Sequence, residues 1–364
     1  MVQGLYLHIP FCVAKCRYCD FTSYPQCSNE AKEKYLQALL QEAGLYAGLL
    51  RGSVPSGELL LDSLYFGGGT PTCLTGGQLF FLLKTLREIF PVRSDAEITV
   101  EGNPGTLDVE KLVMLCQAGF NRLSLGVQSF NDRELAVLGR IHTADEAVQA
   151  YRLAREAGFA NISLDLMYGL PRQELEQWRA SLSQALALKP EHISLYQLKI
   201  EEGTPFHQQL LEGNLQEFPD DQAAIFYEEA IQTLTEAGYH HYEISNFALP
   251  GRESRHNQLY WRNKEYLGLG VGAAGYLQGV RYNNETELAA YQAKLAQGLL
   301  PRADSEIIDK DLQIAEAIFL GLRLLEGIDK KEFFLHYGVK FEERFGKTIT
   351  KLKSAGLLQE DERS

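Results

Sequence analysis

Cys12, Cys16 and Cys19 stand at C-x3-C-x2-C spacing within the segment LYLHIPFCVAKCRYCDF. Three thiolates on one short loop can hold three irons of a [4Fe–4S] cube and leave the fourth iron without a protein ligand. Electron-transfer clusters are ordinarily held by four cysteines, so a cluster bound through three has an open corner at which a small molecule can be held. Two other readings of the same residues stand beside this one. A Cys3His zinc site would need His8, which is near but sits on a strand rather than at knuckle spacing. The thiols could also carry no metal. Tyr6, Phe11, Tyr18 and Phe21 surround the loop and suit the shielding of a cluster. Cys27, Cys73 and Cys116 are scattered and read as plain thiols, Cys116 on a helical stripe with Leu112 and Leu115.

Further polar residues fall where chemistry is commonly placed. GGGTP (67–71), Glu101, Gln128 and Asp165 each lie at or just after the end of an apolar run, and Arg140 follows in LGRIH. Taken singly, each is a rim residue satisfying a loop, and GGGTP is a tight turn. The string HNQLYW (256–261), if helical, puts His256 and Tyr260 on one face. Alone it reads most simply as a core histidine near an aromatic.

The elements that must position these residues are legible as a repeating pattern. Apolar runs at 5–9, 63–67, 97–102, 122–127, 161–169 and 192–198 are β-branched or Leu-rich and read as strands buried on both faces. Amphipathic stretches lie between them (33–50, 76–90, 108–120, 147–159, 174–188), with Gly119 and Gly158 as C-caps. Six strand–helix units imply an α/β fold, a parallel sheet curled into a whole or partial barrel, with the active site at the C-terminal rim. The expected division is a barrel over 1–215, a connecting segment over 216–284, and a small mainly helical C-terminal domain over 285–364. The Gly-rich run 267–279 is expected to pack tightly against the barrel or a planar ligand.

Composition narrows the function. With 35 basic and 48 acidic residues the net charge is −13, which disfavours nucleic acid as a partner. No apolar run is long enough to span a bilayer and no signal-peptide pattern follows Met1, so a cytoplasmic location is expected.

The string Y-x-H-I-P-F-C-x3-C-x-Y-C-D-F resembles the signature of the radical S-adenosylmethionine (SAM) enzymes, in the branch of the oxygen-independent coproporphyrinogen III oxidase and its relatives. The resemblance extends over almost the entire chain. It implies a partial (βα)6 TIM-like barrel and a [4Fe–4S] cluster whose open iron is chelated by the amine and carboxylate of SAM. An electron from the cluster then cleaves SAM to a 5′-deoxyadenosyl radical. By the same resemblance Gly68, Gly69 and Thr70 contact SAM, Glu101 binds its ribose hydroxyls, and Gln128, Arg140 and Asp165 line its pocket, with Tyr6 and Tyr18 beside the cluster. The oxidase carries a further cysteine where this chain has Phe21, and an extension before the cluster loop. H-N-x-x-Y-W, absent from the oxidase, resembles a motif of the family's heme chaperones. The implied function is to bind heme, with His256 a candidate ligand, and to deliver it to heme-requiring apoproteins such as respiratory cytochromes, an electron donor serving the cluster. The alternative is the oxidase reaction, decarboxylation of porphyrinogen propionates to vinyl groups. Relatives end in a winged-helix-like domain; with the chain stopping at Ser364, a missing or shortened wing is expected.

Overall fold

The computed structural model describes residues 2–53 and 59–361. Six strands run parallel in chain order: β1 (Gly4–Ile9), β2 (Leu61–Gly68), β3 (Val92–Gly102), β4 (Arg122–Gln128), β5 (Ile162–Tyr168) and β6 (His192–Gln197). Between them lie α1 (Asn29–Ser53), α2 (Gly76–Ile89), α3 (Val109–Ala118), α4 (Asp132–Leu138), α5 (Ala144–Ala157) and α6 (Leu175–Leu188). Local chemistry sets several boundaries. Thr75 with Gln78 and Thr143 with Glu146 form capping boxes at the starts of α2 and α5. Gly119 and Gly158 end α3 and α5 in the left-handed conformation, φ 103° and 110°, as the sequence indicates.

The strands differ from expectation in one respect: they alternate. Leu5, Leu7, Ile9, Leu64, Phe66, Ile98, Val100, Leu123, Leu125, Val127, Leu164, Leu166, Ile193 and Leu195 are buried in one apolar cluster with the helices. The intervening positions point to the other face and carry Ser63, Glu97, Thr99, Arg122, Ser124, Ser163, His192 and Ser194, all buried too. Both faces are covered, as expected, but only the outer one is hydrophobic. The sheet curls far enough that Tyr65 of β2 and Tyr196 of β6 line the same cavity. The curled sheet therefore encloses a polar column, and its apolar core is the shell between strands and helices.

The sheet does not close on itself. After α7 (Pro205–Leu211) and α8 (Asp220–Glu236), β7 (His240–Glu243) and β8 (Asn246–Ala248) extend the β6 edge, β8 antiparallel to β6. The helix α9 (Arg255–Trp261) follows, and then β9 (Tyr266–Leu269) joins β1 in parallel. Beyond it run β10 (Ala274–Leu277), β11 (Val280–Asn284) and β12 (Arg302–Ile307), giving twelve strands in the order β12-β11-β10-β9-β1-β2-β3-β4-β5-β6-β8-β7. Segment 216–284 thus supplies strands to both edges. The Gly-rich run packs against the barrel: a Cβ on Gly270 would stand 2.7 Å from the His8 carbonyl oxygen of β1. The described part of 285–364 holds α10 (Leu288–Ala296), β12, α11 (Lys310–Gly321), α12 (Lys330–Tyr337) and α13 (Phe341–Ser354). No described helix is long and apolar enough to cross a membrane.

One buried carboxylate fastens the late strands to the barrel. Glu42 of α1 is fully buried and accepts hydrogen bonds from Gly270 N (2.8 Å), Asn284 Nδ2 (2.7 Å) and the Tyr291 hydroxyl (2.7 Å). Replacing it with alanine strands three buried donors. Because each such donor costs about 1–3 kcal/mol, Glu42→Ala should lower stability by about 3 kcal/mol or more, read as a lower urea midpoint; an unchanged midpoint would show that this anchor is dispensable.

Candidate functional site

The cysteine loop is closed at its base. Phe11–Cys12 pairs in parallel with Tyr24–Pro25, and the Gln26 amide donates to the Cys12 carbonyl at 3.1 Å. The intervening segment is thereby held over the C-terminal ends of the strands. Cys12, Cys16 and Cys19 are free and half-buried. Burial pushes the Cys12 and Cys19 thiols up, Cys19 to about 11, so metal must displace protons to bind there. Arg140 Nη1 lies 3.4 Å from Cys16 Sγ, and Thr70 Oγ1 lies 3.6 Å from Cys12 Sγ. Among the described residues no three His, Cys, Asp or Glu side chains converge on one metal ion; a cubane, with each cysteine on a separate iron, asks for a wider spread. His8 is already committed. Its Nε2 donates to the Thr22 carbonyl (2.8 Å), so its Nδ1 accepts from the Tyr6 hydroxyl (3.0 Å) and no ring nitrogen remains for zinc.

Beside the loop is a cavity of about 310 Å³. It brings together Cys12, Cys16, Cys19, Tyr18, Gly68, Gly69, Thr70, Glu101, Gln128, Arg140 and Asp165. The glycines of GGGTP are needed for close approach. Gly68 has φ 110°, and a Cβ on Gly69 would stand 2.9 Å from the Phe11 carbonyl oxygen and 3.1 Å from Cys12 Sγ. Glu101 is held in place by the Tyr65 hydroxyl, donating to Oε1 at 2.7 Å, and the Gly68 amide, donating to Oε2 at 3.2 Å. Burial, reinforced by Asp165, pushes its carboxyl up to about 7 despite those two donors. Asp165 accepts from the hydroxyls of Ser124 (3.0 Å) and Ser163 (3.3 Å).

Among the buried polar atoms of this lining, Gln128 Oε1 and Arg140 Nε have no partner in the protein. Gln128 sits where the β4–β5 register shifts, with φ 68°; the bulge re-aims its side chain, and such strain is characteristic of ligand sites. Arg140 donates from Nη2 to Asn103 Oδ1 and the Gly126 carbonyl, both at 2.6 Å. Three thiols, a glycine cradle and unsatisfied donor and acceptor atoms in one enclosure fit a SAM-bound cluster.

Two expected site residues lie outside the cavity lining. Tyr6 turns its hydroxyl to His8. His256 is buried at the opposite end of the strands: its ring nitrogens engage Ser63 and Tyr260, each at 2.8 Å. Burial holds its pKa down to about 3. With both nitrogens occupied, this imidazole is not presented to a ligand as an axial donor would be. Among the lining residues that escaped the sequence reading are Tyr65, Asn103, Ser124 and Tyr196. Asn103 donates to Thr70 Oγ1 at 3.0 Å and accepts from Arg140; its place two residues after Glu101 in EGNP was the available signal.

The parallel half-barrel with its cysteine loop and adjoining cavity defines a radical SAM protein. The profile of the Radical SAM superfamily matches residues 6–185, and that of the HemN C-terminal domain matches residues 308–364. The chain is 40% identical over 362 residues to the heme chaperone HemW of Bacillus subtilis, covering 99% of this chain and 94% of that protein. With the HemW of Escherichia coli it shares 38% over 343 residues, 92% and 86% of the two chains. The structure of coproporphyrinogen III oxidase (HemN) from Escherichia coli, a radical SAM enzyme, superposes with a TM-score of 0.84 at 28% identity, covering 100% of this chain and 85% of that one. Within the superfamily, the chain belongs to the HemW heme-chaperone family.

Anaerobic reconstitution with iron and sulfide should give broad visible absorbance in the wild type. Cys12→Ser, Cys16→Ser and Cys19→Ser should each lose it, whereas Cys27→Ser should keep it. A Cys16→Ser protein with full absorbance would remove that thiol from the ligand set.

Proposed function

We propose that the protein binds heme and transfers it to heme-requiring apoproteins in the cytoplasm or at its membrane, with a SAM-ligated [4Fe–4S] cluster in the rim cavity and an electron donor that reduces it. The observation that carries this reading is likeness to HemW proteins along nearly the whole chain. When bound, the cluster offers SAM an open iron and a one-electron reductant.

The chain's own residues prepare the rest. Gly68 and Gly69 let the turn lie against His8 and the cysteine loop, where a side chain would collide, and so bring its backbone to the methionyl end of SAM. Glu101, fixed by Tyr65 and Gly68, accepts from the ribose hydroxyls, a role that suits a charged acceptor. Gln128 Oε1 and Arg140 Nε are free to satisfy polar groups of the ligand. The cavity walls exclude bulk water from these contacts, which strengthens them.

Heme needs a broader site than the rim cavity. A cavity of about 460 Å³ lies between α9 and α12, lined by Trp261, Phe333, His336 and Tyr337 together with Arg262 and Lys264. It lies within the size range of small-molecule sites, about 300–1,000 Å³. Here the last residue of HNQLYW meets an exposed histidine and aromatic walls suit a porphyrin face; Arg262 is paired with Glu326 and Asp329, Glu332 and Asp361 also line the cavity, so Lys264 is the cation offered to a propionate. His336 is the candidate axial ligand at this position.

The oxidase reading draws on the structural likeness to HemN. An anaerobic assay with reductant, SAM and coproporphyrinogen III separates the two. The chaperone reading expects a Soret band on heme titration, diminished in His336→Ala, and no protoporphyrinogen IX; formation of that product would overturn it. SAM affinity carries its own signature. Because the ionised Glu101 is the stronger acceptor for the ribose hydroxyls, affinity should fall as the pH drops below about 7, and Glu101→Gln should flatten that dependence.

A further inference from the structure

The rim cavity and the HNQLYW helix lie at opposite ends of the barrel, yet three aromatic rings connect them. Tyr65 is flanked by Tyr6 and His256, the two expected site residues that do not line the cavity. Tyr6 stacks on it at 6.2 Å with an interplanar angle of 27°, and His256 stacks on it at 5.1 Å and 25°. The hydroxyl of Tyr65 in turn donates to Glu101 Oε1 at 2.7 Å. The position of that donor is therefore set by the ring packed below it.

His256 is itself pinned from every side. Ser63 Oγ and the Tyr260 hydroxyl hold its two ring nitrogens. Its backbone amide, with that of Arg255, donates to the buried Glu97 carboxylate at 3.1 Å. Glu97 on β3 thus caps the start of α9 and fixes the helix in the barrel floor. Neutral at physiological pH and 1% exposed, the imidazole acts here as a rigid wall.

We propose that His256 is a positioning residue for SAM: by stacking on Tyr65 it holds the tyrosine hydroxyl on Glu101 and so keeps the ribose-binding carboxylate in place. The inference rests on the reading of the rim cavity as the SAM site. It gives HNQLYW a role at the SAM end of the molecule, carried by packing rather than by metal ligation. Removing the imidazole leaves a ring-sized gap beside Tyr65, into which the phenol can tilt away from Glu101.

The test uses full-length protein carrying its cluster, prepared without oxygen, with SAM affinity measured by calorimetry and heme binding by Soret titration on the same samples. A hydrogen bond to a charged group contributes about 1.5–3 kcal/mol, so Tyr65→Phe and His256→Ala should each weaken SAM binding about tenfold or more. The double variant should be no weaker than Tyr65→Phe alone, since both act on one contact. His256→Phe, which keeps a ring against Tyr65, should recover most of the affinity; this rescue separates positioning from general destabilisation. Wild-type SAM affinity in His256→Ala overturns the inference whatever happens to heme, as do fully additive losses in the double variant. A His256→Phe protein as weak as His256→Ala does so too, and should the alanine variant fail to hold a cluster, wild-type affinity in Tyr65→Phe sinks it. Failure of the wild-type protein to bind SAM would instead sink the reading of the cavity.

Discussion

A parallel sheet curled with its apolar side outward must bury hydroxyls, carboxylates, a guanidinium and imidazoles on its concave face, and each of these needs a partner. That constraint organises the molecule. At the floor of the barrel the partners are protein: Glu97 caps α9, His192 bridges Ser163 and Tyr242 at 2.8 Å each, and His256 bridges Ser63 and Tyr260. At the rim the protein stops short, leaving Gln128 Oε1 and Arg140 Nε unsatisfied around an open cavity. Buried polar groups of native proteins are almost always paired; the orphans at the rim, unlike Thr99 Oγ1 and Arg122 Nε deeper in the column, face a cavity that can hold a ligand.

The same column explains why Glu101 is held as it is. Two carboxylates, Glu101 and Asp165, face one enclosure; burial disfavours charge on both, and Asp165 adds repulsion at Glu101. Serine hydroxyls take up Asp165, while a tyrosine and a backbone amide take up Glu101. The cost of keeping carboxylates in this setting is offset only if a ligand uses them, as a nucleoside with ribose hydroxyls and a cationic sulfonium would.

Much of this is legible in the sequence. The six strands fall within a residue or two of the apolar runs, apart from β3, which begins earlier at Val92. The cysteine spacing, the glycine turn and the strand-end residues converge because a parallel αβ repeat places strand ends at one rim. What escaped had physical reasons. The polar side of each strand was overlooked because serine, threonine and tyrosine in short runs resemble ordinary buried strand residues. The edge strands β7 to β12 are short or Gly-rich, and their pairing is decided by partners distant in sequence. His256 was given a ligand's part on motif likeness; its partners Ser63 and Glu97 lie 193 and 159 positions away in the chain, so no local pattern announces them.

The central claim is a cubane held through three sulfurs with one corner left for SAM. Mössbauer spectroscopy of iron-57 protein, prepared without oxygen, tests it most directly. The account predicts a [4Fe–4S] spectrum in which a single iron site changes its isomer shift when SAM is added, the other three holding still. A cluster whose four irons are all indifferent to SAM, or a preparation whose metal is zinc, would contradict it.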